Sequence, residues 1–350
     1  MELDTAIAGK VDTVFADMDK PRNPGAALLV VEGGRRIVTR CYGCADLATG
    51  RPITADSSFY LASVSKQFTA MAILLLAAQE KLGLDDHLRN YFPQFPAWGD
   101  TITLRHLIHQ TSGLPDYFGL FLPDKSAPPS VVAGDMVEHM GGLTNAEVLD
   151  RTMHVPHPDF PAGSQHAYSN TNYTLLSMIV GLVCGLSFPA FMKAAIFDPL
   201  GMANTLVYDA SHPSLHNIAH GYVEQAGGFR RWDYPLLTTG DGGMFSTLDD
   251  LFLWDQALNN DRLVPHRVLQ QFFADGATDD GRSTGYGFGW MTNIFGTARH
   301  VAHGGSLGPY NTCMVRYLDM QRTIVLLTNR IGVPGPRVRV QQVADILFGG

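Results

Sequence analysis

Lysine is scarce in this chain: six in 350 residues, at Lys10, Lys20, Lys66, Lys81, Lys125 and Lys193. Basic residues total 25 against 33 acidic ones, a formal charge of −8. The Lys and Arg clusters that bind polyanions are missing, so nucleic acid is not an expected partner. Long apolar runs are missing too. The longest, Leu175 to Cys184, is about ten residues and suits a buried helix rather than a membrane span of about 20. The N-terminus lacks a basic start followed by an apolar stretch, so the expected location is cytoplasmic. Four cysteines make no disulfide framework. Cys41 and Cys44 read C-x-x-C, but the tract Arg36 to Ala45 reads as a strand, where odd spacing places them on opposite faces as packing thiols. No G-x-x-x-x-G-K-[ST], G-x-G-x-x-G or H-E-x-x-H is present, which removes phosphate loops and zincin sites. The 13 histidines are scattered, and His154 with His157 reads as a solvated loop pair. No cofactor and no metal is expected.

What is present is an ordinary globular composition, 45% apolar, 36 Gly and 20 Pro, in a chain longer than the roughly 250–300 residues at which single cores stop growing. The pattern predicts a helix over Leu3 to Met18, then strands over Ala26 to Val31 and Arg36 to Tyr42 joined by the hairpin chemistry of Glu32-Gly33-Gly34. From Ser63 to Gln79 apolar residues recur at helical spacing. Further helices are predicted over Tyr173 to Val183 and Phe188 to Phe197, with a Pro-rich passage at 123–129 before them. Past Gly281 strands return, at Gly287 to Thr292, Ala298 to Ala302, Thr312 to Leu318 and Thr323 to Thr328, followed by a helix over Val338 to Leu347. Strands at both ends with helices between them predict one α/β lobe from residues 1–62 plus 280–350 and a mostly helical lobe from 63–279.

Two serine signals compete. Gly304-Gly-Ser-Leu-Gly308 satisfies G-x-S-x-G, the nucleophile elbow whose triad runs Ser, acid, His. The last histidine, His303, precedes Ser306, so no base can follow, and a strand rather than a helix follows Gly308. The second signal is Ser63-Val-Ser-Lys66. A three-residue helical spacing puts hydroxyl and amine on one face, the helix start favours developing negative charge, and a buried amine loses its proton near neutral pH and assists a hydroxyl nucleophile. None of the other five lysines has a serine at that spacing. Tyr168-Ser-Asn170, the only Y-x-N in the chain, precedes the helix at Tyr173, and His303-Gly-Gly305 ends a strand where two glycines let a ligand lie close along its edge.

Serine with lysine, then Tyr-x-Asn, then a basic residue with Gly two places on, resembles the serine β-lactamase and penicillin-binding protein superfamily, most of all its class C β-lactamase-like branch of esterases, D-aminopeptidases and some acyltransferases. Tracts along the chain share the resemblance: Phe59 to Lys66, Thr103 to Leu114, Pro199 to Met202, Gly242 to Thr247 and Tyr286-Gly-Phe-Gly-Trp290. The implied fold is the α/β (α+β) β-lactamase/transpeptidase-like one, an antiparallel sheet flanked by helices from both termini with an inserted helical lobe and the active site between. The implied nucleophile is Ser63, forming an acyl-enzyme. Lys66 and Tyr168 share the proton work, which asks for a lowered Tyr168 pKa. Asn170 holds Lys66 and contacts substrate, and the backbone N–H groups of Ser63 and Ser306 form the oxyanion hole.

His303-Gly304-Gly305 stands where penicillin-recognising members usually carry Lys-Thr-Gly. A permanent cation and a hydroxyl suited to a substrate carboxylate are gone, and a histidine is mostly neutral at pH 7. The expected substrate is therefore a small ester, with a D-stereospecific aminopeptidase or DD-peptidase-like amidase as the alternative and weak β-lactamase or acyl-transfer activity behind both. A substrate ammonium would need an acidic partner such as Asp116 or Asp241. His303, Gly305, Ser306 and Asn170 are the expected substrate-binding positions.

Overall fold

Gly33 and Gly34 adopt φ +53° and +76°, a pair of positive values that the two-residue turn between right-twisted strands requires. The computed structural model describes residues 4–122, 140–233, 236–296, 298–332 and 334–349; the Pro-rich passage 123–129 lies outside them. Strands β1 (Ala26–Glu32) and β2 (Arg35–Tyr42) flank that turn, and β3 (Met291–Thr292), β4 (His300–Leu307), β5 (Tyr310–Tyr317) and β6 (Arg322–Thr328) come from the C-terminal part. They form one antiparallel sheet in the order β3-β4-β5-β6-β1-β2. β1 lies between β6 and β2, with Ala26 opposite Thr328 on one side and Tyr42 on the other.

Helices cover both faces of this sheet. On one face α1 (Thr5–Val14) and α5 (Pro336–Phe348) pack through Val11, Val340 and Val343 onto Ala26, Leu28 and Val30. The alternate residues Ala27, Leu29 and Val31 face α2 (Lys66–Ala78), α3 (Asn170–Cys184) and α4 (Leu248–Ala257) in the main core. Covered twice, Ala26 to Val31 are all buried, which is why β1 reads as an unbroken apolar run rather than an alternating one. α2 is buried from Lys66 to Leu76, as a helix apolar all round must be. No single helix among the described residues is long and apolar enough to cross a membrane; α3 with Phe188–Leu200 passes such a test only as a pair bent by 77°.

The expected hairpin and C-terminal strands are present, with several shifts. The N-terminal helix stops at Val14, and Gly43, at φ +73°, breaks the tract Arg36 to Ala45, so Cys41 and Cys44 fall in different strands and remain free thiols. The strand expected over Gly287 to Thr292 shrinks to two residues, because Gly289 adopts φ +76° and turns the chain into an arch. The middle of the chain holds strands as well as helices: Phe59–Tyr60, Met244–Ser246 and Leu206–Val207 form a small sheet, and Tyr222–Gln225 pairs with Gly228–Arg231.

Candidate active site

The chain approaches Ser63 along the short strand Phe59–Tyr60, whose partner is Met244–Ser246. Leu61 N–H donates to Met244 O at 2.8 Å, and Thr312 Oγ1, from β5, donates to Leu61 O at 2.7 Å. Ala62 then takes φ +48°, a left-handed conformation that costs a non-glycine residue of order 1–3 kcal/mol and marks functional turns. A 3₁₀ turn, Ala62–Ser65, carries Ser63 into α2. Ser63 is partly exposed, whereas Lys66 is fully buried. The expected helix start is thus a tight turn followed by the helix, and the two side chains still meet.

Lys66 Nζ donates three hydrogen bonds: to Ser63 Oγ at 3.0 Å, Asn170 Oδ1 at 2.7 Å and Asp241 O at 2.7 Å. That fills the ammonium's donor capacity. Burial lowers its pKa to about 8, against the opposing pull of the Asp241 and Asp116 carboxylates. The Tyr168 ring lies 4.9 Å from Nζ, and its hydroxyl bonds the Ser63 side chain. Here an expectation fails. The Tyr168 phenol is pushed well above its ordinary value, first by burial and then by Tyr286, and the Ser63 bond only partly opposes this. Asp116 and Asp241 add to the rise, so the neighbourhood of Lys66 does not offset that desolvation.

Asn170 is the first residue of α3, not a loop residue ahead of it. Its backbone N–H and side-chain Nδ2 both donate to Asp116 Oδ2 at 2.9 Å, which aims Oδ1 at Lys66. Asp116 also caps the helix Tyr117–Phe121 through Phe118 N–H. Asp241 accepts from the Tyr117 hydroxyl at 2.8 Å. Both carboxyls are raised by burial, with Lys66 pulling against it.

β4 forms the opposite wall. It does not end at Gly305 but runs on to Leu307, and past Ala302 its outer edge has no strand partner among the described residues. Gly305 serves the protein's own packing rather than a ligand's approach: a Cβ there would lie 2.2 Å from Leu61 O and 2.3 Å from Thr312 Oγ1. Ser306 is exposed and, with Ser63, Asn170, Asp241 and Phe118, lines a narrow cleft of about 40 Å³. His303 is 1% exposed. Its Nδ1 bonds Gly304 O at 2.7 Å and its Nε2 meets the Tyr286 hydroxyl at 3.0 Å. Burial, Lys66 and Arg337 drive its pKa down to about 3. Of the seven expected positions, Ser63, Asn170 and Ser306 line this cleft; Lys66 and Tyr168 bond the Ser63 side chain, and His303 and Gly305 are buried or packed on the strand that carries Ser306.

Two contributors escaped sequence reasoning. Gln110, at φ +61°, turns Oε1 to accept from Ser169 N–H at 3.0 Å and from Asn172 Nδ2, pinning the Tyr168 loop. Tyr286, 1% exposed, joins His303 and packs edge-on to Tyr168 at 5.9 Å. Both lie in tracts that carried the resemblance, but an amide and a phenol in those tracts have no spacing to a nucleophile or base that would single them out. Trp290 is core at 0% exposure, and Tyr310 is buried with its hydroxyl on Ala219 O. No group of three or more His, Cys, Asp or Glu among the described residues is placed to hold a metal ion.

The known proteins to which this chain is similar fall together. The family model described as Beta-lactamase matches residues 11–347. Penicillin-binding protein 4* of Bacillus subtilis is 32% identical over 97% of this chain and 76% of its own length. D-aminopeptidase of Brucella anthropi is 30% identical over 82% of this chain, which spans about half, 52%, of that protein. Among solved structures, the octameric penicillin-binding protein homologue from Pyrococcus abyssi superposes with a TM-score of 0.82 at 23% identity, covering 98% of this chain and 77% of that one. EstCE1, described as a hydrolase with promiscuous acyltransferase activity, does so with 0.77 at 22%, covering 98% and 99%. At those identities the structural likeness is one of fold.

Proposed function

The chain belongs to the Beta-lactamase family, and from that premise we propose that it is a serine acyl hydrolase whose nucleophile is Ser63 and whose preferred substrates are small esters without a free carboxylate. The observation that carries the reading is the fully buried Lys66 amine 3.0 Å from Ser63 Oγ, with its pKa lowered to about 8. At pH 7 about a tenth of the molecules hold that amine neutral, enough to act as a base. Ser63 Oγ attacks the acyl carbon as its proton passes to Lys66 Nζ. The oxyanion is held by backbone N–H groups of Ser63 and Ser306, and collapse breaks the ester C–O bond while Lys66 and the neutral Tyr168 phenol return a proton to the leaving oxygen. Water repeats the sequence on the acyl-enzyme. Asn170 holds Lys66 and faces the substrate. The site lies between a lobe of residues 1–62 plus 280–350 and a lobe of 63–279.

The β4 wall supports the ester preference, since its one ionisable side chain near the cleft, His303, is neutral at physiological pH. A second reading, a D-stereospecific aminopeptidase, draws on two carboxyls, Asp116 and Asp241, that face one amine, Lys66. Ionised, they leave a surplus negative charge that suits a substrate ammonium, and a D-aminopeptidase is among the relatives. A fluorophosphonate probe followed by peptide mapping tests the shared core: label is expected on Ser63 and lost in Ser63→Ala, and label elsewhere overturns it. Turnover of p-nitrophenyl butyrate, D-alanine p-nitroanilide and nitrocefin then ranks the substrate classes. Nitrocefin is expected last, and nitrocefin first would overturn the argument from His303.

A further inference from the structure

Tyr286 sits on an arch whose shape is dictated by glycine. Gly285 and Gly289 take φ +66° and +76°, and a Cβ on Gly289 would lie 2.6 Å from Gln67 N and 2.7 Å from Lys66 C, so the arch presses on the first turn of α2. A Cβ on Gly287 would meet Ala274 O at 2.2 Å. Held there, the Tyr286 ring has the rings of His303, Tyr168 and Tyr173 at 5.7, 5.9 and 6.4 Å. Its hydroxyl meets His303 Nε2 at 3.0 Å.

The tautomer follows from the other ring nitrogen. Gly304 O, 2.7 Å from Nδ1, can only accept, so Nδ1 carries the hydrogen. Nε2 is then a lone pair, and Tyr286 O–H donates to it. The groups facing the ring from the elements around it are Lys66 on α2, Tyr168 ahead of α3, Tyr286 on the arch and Arg337 on α5. The two cations oppose a charge on the imidazole and neither phenol provides one that would favour it.

Resting on the reading of Ser63 as nucleophile, we infer that Tyr286 is a positioning residue that sets which acyl groups the site accepts: its hydroxyl caps Nε2 of the neutral, Nδ1–H His303 and leaves no ring nitrogen free, so β4 offers the substrate backbone amides and no cation. The substrate class excluded is the acyl group with its own carboxylate. A phenylalanine at 286 leaves Nε2 without its donor, so the imidazole becomes more basic and that nitrogen takes a water, which puts a donating group on the wall.

The experiment reads the imidazole directly. In protein labelled with ¹⁵N-histidine, with His303 assigned by its loss in His303→Gln, Nδ1 is expected protonated and Nε2 bare across about pH 5 to 9. In Tyr286→Phe Nδ1 is expected to stay protonated while the Nε2 resonance moves from its bare position toward the protonated one as pH falls to about 5, and an Nε2 resonance unchanged by the substitution overturns the inference. An Nε2–H form in the unmodified protein overturns the inference by itself, with no variant needed. The kinetic arm compares p-nitrophenyl butyrate with mono-p-nitrophenyl succinate, which differ by a terminal carboxylate. Tyr286→Phe should narrow the preference for butyrate roughly three- to tenfold at low pH, through KM for the succinate. Tyr286→Leu, which removes the ring contacts as well, should lower kcat for both substrates alike. An unchanged ratio in Tyr286→Phe overturns the inference while fluorophosphonate labelling of Ser63 still stands, and absence of that labelling in the unmodified protein overturns the reading of Ser63 instead.

Discussion

The two walls of the cleft each bury one basic group, and they treat it differently. On the α2 wall Lys66 is desolvated but ringed by acceptors, with two carboxyls close by, and its pKa falls only to about 8. On the β4 wall His303 is desolvated beside two cations, Lys66 and Arg337, and its pKa falls to about 3. Burial lowers both, Lys66 from 10.5 to about 8 and His303 from 6.5 to about 3; the amine stays within reach of a proton near neutral pH chiefly because its ordinary value is the higher, and carboxyls on one wall against cations on the other widen the gap. The wall with carboxyls holds a group able to exchange protons, and the wall without them holds an inert one.

Breaking the first wall should give the largest effect. Lys66→Ala is expected to lower kcat by about 10²–10⁴-fold, the usual share of general acid–base catalysis, with unchanged far-UV circular dichroism; near-normal turnover would place the base elsewhere. Next, the contrast can be sharpened through pH. Activity requires the neutral amine, so kcat/KM should rise with pH through a midpoint near 8, the value set for Lys66. His303 should add no limb between pH 5 and 8, since it already stays neutral throughout. Asp241→Asn removes a charge that raises the Lys66 pKa, so the midpoint should move down, by about one unit, and a midpoint that stays put would show that Asp241 does not set it. Smallest is a steric test of how the walls meet. Gly305→Ala brings a Cβ to 2.2 Å from Leu61 O and should cost about 1–3 kcal/mol of stability, as overpacking does, measured by denaturant unfolding; an unchanged midpoint would show that β4 can move away freely.

Much of this was legible where chemistry and local pattern coincide. Ser63, Lys66, Tyr168 and Asn170 announced themselves by spacing, and Gly33-Gly34 announced its turn. The arch around Tyr286 did not, because its apolar and aromatic residues read as a strand until the positive φ at Gly289 is known. Gln110 was silent for a similar reason: an amide looks like any polar loop residue until its backbone turns it toward Ser169. The Tyr168 pKa went wrong because sequence shows which charges are near in the chain, and not how much water burial removes. Gly305 was assigned to a ligand because a strand glycine allows close approach by any backbone, and here the neighbour is Leu61.

The placement of β1 between β6 and β2 has a consequence for the chain as it is made. Ala26 pairs with Thr328, so at ribosomal rates of about 5–20 residues per second the first strand waits some tens of seconds, roughly 15 to 60, for its partner. Through that interval a hairpin whose every β1 residue from Ala26 to Val31 is destined for the interior has one edge open. Ser63 and α2 emerge about 240 residues before the wall that completes their cleft. A chain cut short of β6 should therefore aggregate through that open edge rather than retain partial activity.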